Sequence, residues 1–508
     1  MNDTVRPRVW LVGAGPGDPG LMTVRGRAAL EQADCVIHDY LVGPRILSLV
    51  PAGAAVHDVG KRGHASSRTQ NEINALLLAC ARQHQRIVRL KGGDPFMFGR
   101  GGEEAQILAE AGIAYEVVPG VTSGIAVPAY AGIPVTHRAN SASVAFVAGH
   151  LQEGDSNGPD WAAFAKVETL VLYMGMQHLA ANCAALITHG RSPDTPAAAI
   201  QWGTLPQQRC VTGTLVTLPG LAKAAGLGAP AITVIGDVVR YREHIAWFDN
   251  RPLWGRRVLV TRAAGQAGRL AMALEDLGAE AVHAPLQRFI PADSATLDTA
   301  IERAATCGWL ALSSTNAVDV LFARLRERQL DVRALGSVRI AAVGPGTAEA
   351  LRRYGVEADL IPPTSDAPAL AASLIVTAGN KRSVLLAQAA EARAELADQL
   401  RAAAWRVHVI VTYRAESLPV DLAQLGRIDA ITVASAATAE RLLSAFGLQT
   451  LATLRRNGCR IVAIGPRTAD ACAALHLRAD AIASQVSAEG IAQAVVRALA
   501  GSEVKHGS

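Results

Sequence analysis

Short β-branched runs alternate with Ala- and Leu-rich stretches of helical spacing along the whole chain. In the first half the apolar runs are VWLV (9–12), CVIH (35–38), RIVRL (86–90), YEVV (115–118), TLVLY (169–173) and AAAIQW (197–202), each followed by glycine- or proline-bearing loops. This alternation predicts α/β architecture with largely parallel sheets. Thr23 precedes VRGRAALEQA, and its hydroxyl is placed to cap a helix that begins there. At 242–257 the stretch REHIAWFDNRPLWGRR breaks the alternation with Asn250, Pro252 and Gly255 before a fresh strand, VLVTR. The domain boundary is therefore expected near residue 250, giving domains 1–250 and 251–508.

The second half repeats itself. The segment from Arg257, RVLVTRAAGQAGRL, resembles SVLLAQAAEARAEL from Ser383; WLALSSTNAVDVLF resembles AITVASAATAERLL; IAAVGPGTAEAL resembles IVAIGPRTADAC. The offsets are 126 from Val258 to Val384, 122 from Ser313 to Ser435 and 121 from Gly344 to Gly465. Two similar lobes are implied, with a ligand cleft expected between them.

In open α/β sheets, ligands lie beyond the carboxyl ends of the strands. The loops at those ends in the first half are GAGPGD, the turn at Asp39, KGGDPFMFGRGGEE, PGVTSG, MGMQ and the GT at 203. Glycines there allow close backbone approach, so one glycine-lined cleft is expected. Gly15, Gly17 and Gly20 also satisfy G-x-G-x-x-G, with Asp39 about 20 residues on, as in dinucleotide sites. Pro16 and Pro19, however, remove two of the N–H donors that a pyrophosphate needs. Asp39 and Lys61 form an acid and base pair of the type that moves protons, or else two solvated surface charges. Met174 reads equally as site or core.

Composition narrows the function classes. At 508 residues, half of them hydrophobic, the chain exceeds one core. No run reaches the roughly 18 to 20 apolar residues of a membrane span, and MNDTVRPR lacks a signal-peptide core, so the expected location is the cytoplasm. The seven cysteines, at 35, 80, 183, 210, 307, 459 and 472, form no C-x-x-C pair. They read as reduced thiols, with no metal site. Residues 1–250 balance 20 basic against 20 acidic side chains, so the net +5 belongs to the second half. Of 49 basic residues 43 are arginine; the planar fork suits carboxylate ligands, although codon composition yields the same bias. No basic run interleaved with aromatics marks a nucleic-acid partner.

The motifs VGAGPGDPGLMTVRGRAALEQADCVIHDYLV, GKRGHASSRTQNEIN, VRLKGGDPFMFGRGGEE, VPGVTSGIAVPAYAGIPVTHR, TLVLYMG and WGTLPQQRCVTGTL resemble the uroporphyrinogen-III C-methyltransferases of the tetrapyrrole methylase fold, over residues 8–248. The resemblance implies two α/β subdomains, a homodimer and S-adenosylmethionine as methyl donor. It implies cofactor contacts at Pro16, Gly92, Gly93, Asp94, Met97, Thr122, Ser123, Met174 and Gly203, a proton acceptor at Asp39 and a proton donor at Lys61. Where the family usually has an aromatic before the aspartate, this chain has His38. Arg100 and Arg138 are candidate clamps for a substrate with eight carboxylates.

In the second half VLVTR, SSTNAV, AAVGPGTAEAL, VTYRAE and VAIGPRTADA resemble uroporphyrinogen-III synthase, a family of two-lobed α/β proteins joined by crossing strands. The lobes would be 256–286 with 414–500, and 287–413. The resemblance implies closure of hydroxymethylbilane, with candidate contacts at Arg262, Ser313, Ser314, Thr347, Ser435 and Thr468. Tyr413 is the candidate for assisting loss of the hydroxyl, because a phenol donates a hydrogen bond. Where many members carry an Arg-Gly pair, this chain has AQAAEARAEL. The expected function is thus bifunctional: cyclisation to uroporphyrinogen III and its methylation at C2 and C7 to precorrin-2. The alternative keeps the methyltransferase beside a non-catalytic tetrapyrrole-binding module.

Overall fold

The computed structural model describes residues 8–51, 53–60, 69–149, 159–262, 264–377, 382–421 and 425–500. They form two compact units, one running to Arg256 and the other from Arg257 to Ala500, with Glu275–Glu280 grouped with the first.

The first unit holds two five-stranded sheets among the described residues. Strands β1 to β5 (Arg8–Gly13, Cys35–His38, Ala55–Asp58, Arg86–Lys91, Ala114–Val118) lie in the order β3-β2-β4-β1-β5, with every pair parallel. Their residues alternate between two apolar layers. Val9, Leu11, Cys35, Ile37 and Ile87 pack on helices Gln70–Gln83 and Gly101–Glu110, while Val12, Val36, Val88 and Leu90 pack around Leu30 of helix Val24–Glu31. A parallel sheet covered on both faces requires such apolar runs. Helix Val24–Glu31 begins where the sequence places it, with Thr23 Oγ1 accepting the Gly26 N–H at 3.1 Å.

The second sheet departs from the expected parallel pattern. Strands β6 to β10 (Val144–Ala148, Thr169–Tyr173, Pro196–Gln201, Arg209–Thr214, Ala231–Ile235) take the order β6-β7-β10-β8-β9. Only β6 and β7 run parallel; β10 is antiparallel to both β7 and β8, and β8 to β9. The link from β8 to β9, residues 202–208, is too short for the crossover that a parallel pair needs.

In the second unit, β11 and β12 (Arg257–Val260, Glu280–His283) join β18, β19 and β20 (Ala430–Val433, Arg460–Ala463, Ala481–Ile482) in one sheet, ordered β12-β11-β18-β19-β20. The intervening β13 to β17 (Gln287–Pro291, Trp309–Leu312, Arg339–Ala342, Ser383–Ala389, Arg406–Ser417) form the other, ordered β13-β17-β16-β14-β15. Beyond its own sheet core, β17 pairs antiparallel with β13, and Leu418 N–H then donates to Leu286 O at 3.0 Å, so a two-stranded ribbon carries the chain between lobes. The sequence repeat has a structural counterpart. Asp359 accepts the Ile340 N–H at 2.7 Å and Asp480 the Ile461 N–H at 2.8 Å, while Ser314 and Ser435 cap matching helices.

Candidate functional site

The carboxyl ends of β1 and β4 are tied together by backbone. Gly15 N–H donates to Gly93 O at 3.1 Å and Gly93 N–H to Gly15 O at 2.7 Å. Gly93 sits at φ +69°, a left-handed conformation that admits glycine without strain. The proline-bearing loop after β1 makes a short turn, Pro19–Leu21, in which Asp18 accepts the Gly20 N–H and the Tyr130 hydroxyl, each at 2.7 Å. Its glycines therefore do not open a helix, and the dinucleotide signature lacks the context that would give it meaning.

These loops wall a cavity of about 540 Å³ with residues of β7, β8 and β10 and their ends. Of the sequence-derived cofactor residues, Pro16, Gly92, Gly93, Ser123, Met174 and Gly203 line it. Among the described residues no charged side chain does; the rest of the wall is largely apolar and aromatic, including Tyr173, Ile200, Trp202 and Ile232. At Gly203 a Cβ would lie 2.3 Å from Val127 Cγ1, so a side chain there would collide with the wall.

Three expected contacts stand behind that wall. Asp94 braces two loops, accepting the Phe96 N–H at 2.8 Å and the Gly120 N–H at 3.0 Å. Thr122 is buried, sharing a 2.7 Å hydrogen bond with the Tyr173 hydroxyl, which also accepts the Gly124 N–H. Met97 packs against the core of the second sheet.

Asp39 ends β2 beside a charged group that the sequence reading missed. Its Oδ1 accepts from Arg89 Nη2 at 2.6 Å, and its Oδ2 lies 4.0 Å from Lys91 Nζ. Glu104 Oε1 accepts from Arg89 Nε at 2.9 Å and Lys91 Nζ at 3.1 Å. Arg89, Lys91 and Glu104 are almost wholly buried, while the Asp39 side chain keeps 31% exposure. Burial lowers the Arg89 guanidinium, but Asp39 and Glu104 together raise it above its ordinary value. Burial, then repulsion from Arg89, holds the Lys91 ammonium below its ordinary value. The signal was present: Arg89 and Lys91, cations at i and i+2 of one strand, share one face.

The remaining first-unit candidates separate. Lys61 lies outside the described residues. Arg100 does not reach out as a free clamp; it forms a two-bond pair with Glu103 at 2.7 and 2.8 Å, three residues along the same helix start. Arg138 is exposed in the turn bridged by His137 and Ser141. Cys35, His57 and Cys80 bring their ligand-type atoms within 4.8 Å of one another. Burial, reinforced by Cys80, pushes the Cys35 thiol up to about 12, which favours the protonated, uncharged form over a metal-binding thiolate.

In the second unit, Ser313 and Ser314 follow β14, Thr347 lies in the first turn of the helix after β15, and Tyr413 sits within β17 opposite Ala389 at the end of β16. Tyr413 is buried against Phe289, and its hydroxyl shares a 2.9 Å hydrogen bond with Ser314 Oγ. Arg262, Ser435 and Thr468 take the matching ends in the other lobe. Arg262 is half-buried, has no ion pair among the described residues, and is held below its ordinary value by burial. A concavity of about 850 Å³ in this unit takes in none of these residues. It lies at the opposite strand ends, lined by Thr306, Ser383, Trp405 and Arg406 among others, where open α/β sheets do not carry their sites.

Residues 8–219 match the family model of tetrapyrrole (corrin/porphyrin) methylases, and residues 268–493 that of uroporphyrinogen-III synthase HemD. The chain is 36% identical over 478 residues to the porphyrin biosynthesis protein HemD of Ruminiclostridium josui, covering 92% of this chain and 94% of that one. It is 40% identical over 361 residues to the uroporphyrinogen-III C-methyltransferase of Bacillus subtilis, covering 70% of this chain and 74% of that one. It spans about half the length of the siroheme synthases it matches. A solved uroporphyrin-III C-methyl transferase from Thermus thermophilus, complexed with S-adenyl homocysteine, is 40% identical, with 46% of this chain and 93% of that chain covered and a TM-score of 0.40. The chain belongs to the family of the porphyrin biosynthesis protein HemD, and in one polypeptide it carries a tetrapyrrole methylase region and a uroporphyrinogen-III synthase HemD region, as a bifunctional tetrapyrrole-biosynthesis enzyme.

Proposed function

We propose that the first unit methylates uroporphyrinogen III at C2 and C7 with S-adenosylmethionine, giving precorrin-2, and that the second unit makes that substrate from hydroxymethylbilane. The observation that carries the first half is the glycine-walled cavity with Asp39 one residue from its rim at Tyr40. Its volume falls within the range of small-molecule sites, and its apolar walls suit a nucleoside, with main chain at Gly92, Gly93 and Gly203 for the polar edges. Bound there, S-adenosylmethionine would supply a methyl group as its carbon–sulfur bond breaks.

The protein's task is alignment and proton removal. An electron-rich pyrrole carbon is nucleophilic enough to form the new carbon–carbon bond once held in line. The methylated ring must then shed a proton, and the Asp39 carboxylate is the base that takes it, with Lys61 as the donor elsewhere in the cycle. In the second unit Tyr413 donates to the departing hydroxyl, while Arg262 and the helix-start hydroxyls at Ser313, Ser314, Thr347, Ser435 and Thr468 hold substrate carboxylates. Arg138 is retained as a substrate clamp; Arg100 serves only if Glu103 releases it. The reading carries with it a homodimer formed through the first unit and a cytoplasmic location; among the described residues no helix is long and apolar enough to cross a membrane.

The test supplies the full chain with fresh hydroxymethylbilane, with and without S-adenosylmethionine, and separates the oxidised products. Without the methyl donor, isomer III must exceed the isomer I of spontaneous closure; with it, dimethylated product must follow. If isomer I dominates while added uroporphyrinogen III is still methylated, the second unit is a binding module.

A further inference from the structure

Asp39 is the exposed tip of a charge cluster whose other members are sealed in the first unit. Arg89 and Lys91 come from β4, and Glu104 from the first turn of helix Gly101–Glu110. The helix dipole favours an acid at that position. Glu104 Oε1 gathers three donors: Arg89 Nε, Lys91 Nζ and, at 3.4 Å, Gln70 Nε2. Its Oε2 has no hydrogen-bond partner among the described residues. Beside the cluster, among the described residues, are His38, whose Nδ1 is 3.1 Å from the Asp39 carbonyl, Asp58 opposite His38 on β3, and the Arg100–Glu103 pair at the helix start, which neutralises itself.

Two cations and two anions give the cluster no net charge, and this balance depends on Glu104. Burying such groups is a poor way to gain stability, because desolvation offsets their attraction. Their place, directly behind the residue that leads into the cavity, points to another purpose. We propose that Glu104 is a positioning residue for methyl transfer: its buried carboxylate fixes Arg89 and Lys91 and balances their charge, and so sets the orientation and basicity of Asp39. This rests on Asp39 being the base, as read above.

The geometry dictates opposite effects for two substitutions. Glu104→Gln keeps the shape but leaves two cations facing one carboxylate, which stabilises ionised Asp39 and weakens it as a base. Lys91→Met leaves two carboxylates against one guanidinium and makes Asp39 more basic. The double variant Glu104→Gln/Lys91→Met is neutral again.

The experiment records kcat for methylation of uroporphyrinogen III against pH in the full chain. Glu104→Gln is expected to lower kcat by about tenfold or more, to move the acid limb to lower pH, and to change the S-adenosylmethionine KM less than about twofold. Lys91→Met should move the limb upward, and the double variant should return it towards the wild-type position. A limb that stays fixed in both single variants, or moves the same way in both, overturns the proposal. If Glu104→Gln does not fold, the direction in Lys91→Met decides. Asp39→Asn separates the two levels: full activity in that variant removes Asp39 as the base, whereas its inactivity beside an unshifted Glu104→Gln profile removes only the role of Glu104.

Discussion

The first unit concentrates its candidate chemistry, whereas the second spreads it over two similar lobes. Around the first cavity, backbone from β1, β4 and β8 converges on one volume, and Asp39 beside it is backed by three buried partners. In the second unit the same kind of helix start recurs at Ser314 and Ser435, with buried threonines at Thr347 and Thr468, and no buried ion cluster among the described residues stands behind them. Tyr413 has no counterpart in this symmetry, because the other lobe contains no tyrosine. Single changes should therefore be severe in the first unit and graded in the second.

The largest effect is expected from Gly203→Val. Its side chain would enter the wall at Val127, and misplacement of about 1 Å in a methyl-transfer geometry costs about 100-fold. Calorimetry should find S-adenosylmethionine binding lost together with methylation, while isomer III formation by the same protein stays within about twofold of wild type. Loss of both activities would mean that the units are not separable in this way.

Tyr413→Phe comes next, with cyclisation slowed about tenfold, the worth of one hydrogen bond to developing charge. Methylation of supplied uroporphyrinogen III should be unchanged. Smaller still are Ser435→Ala and Thr468→Val, each expected to slow isomer III formation only a few-fold. Ser435→Ala should also lower stability by about 1 kcal/mol, since it removes the bond accepted from Thr438 N–H at 3.1 Å. If either slows cyclisation as much as Tyr413→Phe, the second site is as concentrated as the first.

The smallest effect is expected at a partly exposed ion pair. Arg324 binds Asp298 through two 2.8 Å hydrogen bonds, which hold that carboxyl below its usual range against the opposing effect of desolvation. A depressed carboxylate contributes stability above its unfolded value, about pH 3.9, and loses it as pH falls through the lower folded value. Asp298→Asn should lower the melting midpoint at pH 7 by at most about 2 °C, and the difference from wild type should vanish towards pH 2. The buried cluster at Glu104 has no such exposed counterpart, so a comparable shift there would erase the contrast between paired surface charge and sealed charge.

Much of this was legible in the chain because it is local or periodic. Thr23 caps its helix, the repeats fold into matching lobes, with Ser435 answering Ser314 at an offset of 121 rather than Ser313 at 122, and the glycine loops sit at strand ends, since each depends on a few neighbouring residues. The antiparallel members of the second sheet were not legible. Apolar runs buried on both faces look alike in either direction, and only the short 202–208 link betrays one of those pairings.

Motif and resemblance brought Gly92, Gly93, Ser123, Met174 and Gly203 to one cavity, but they could not tell wall from brace. Asp94 and Thr122 turned to neighbouring loops because Gly120 N–H and the Tyr173 hydroxyl needed partners, a demand created only when distant strands meet. The same holds for Glu104. Sequence alone gives an acid among glycines, 13 residues from Lys91 and 65 from Asp39. Burial decides the rest: once the sheet and helix close over Arg89 and Lys91, their charge must be answered within a few ångströms, and Glu104 is the residue that tertiary structure puts there.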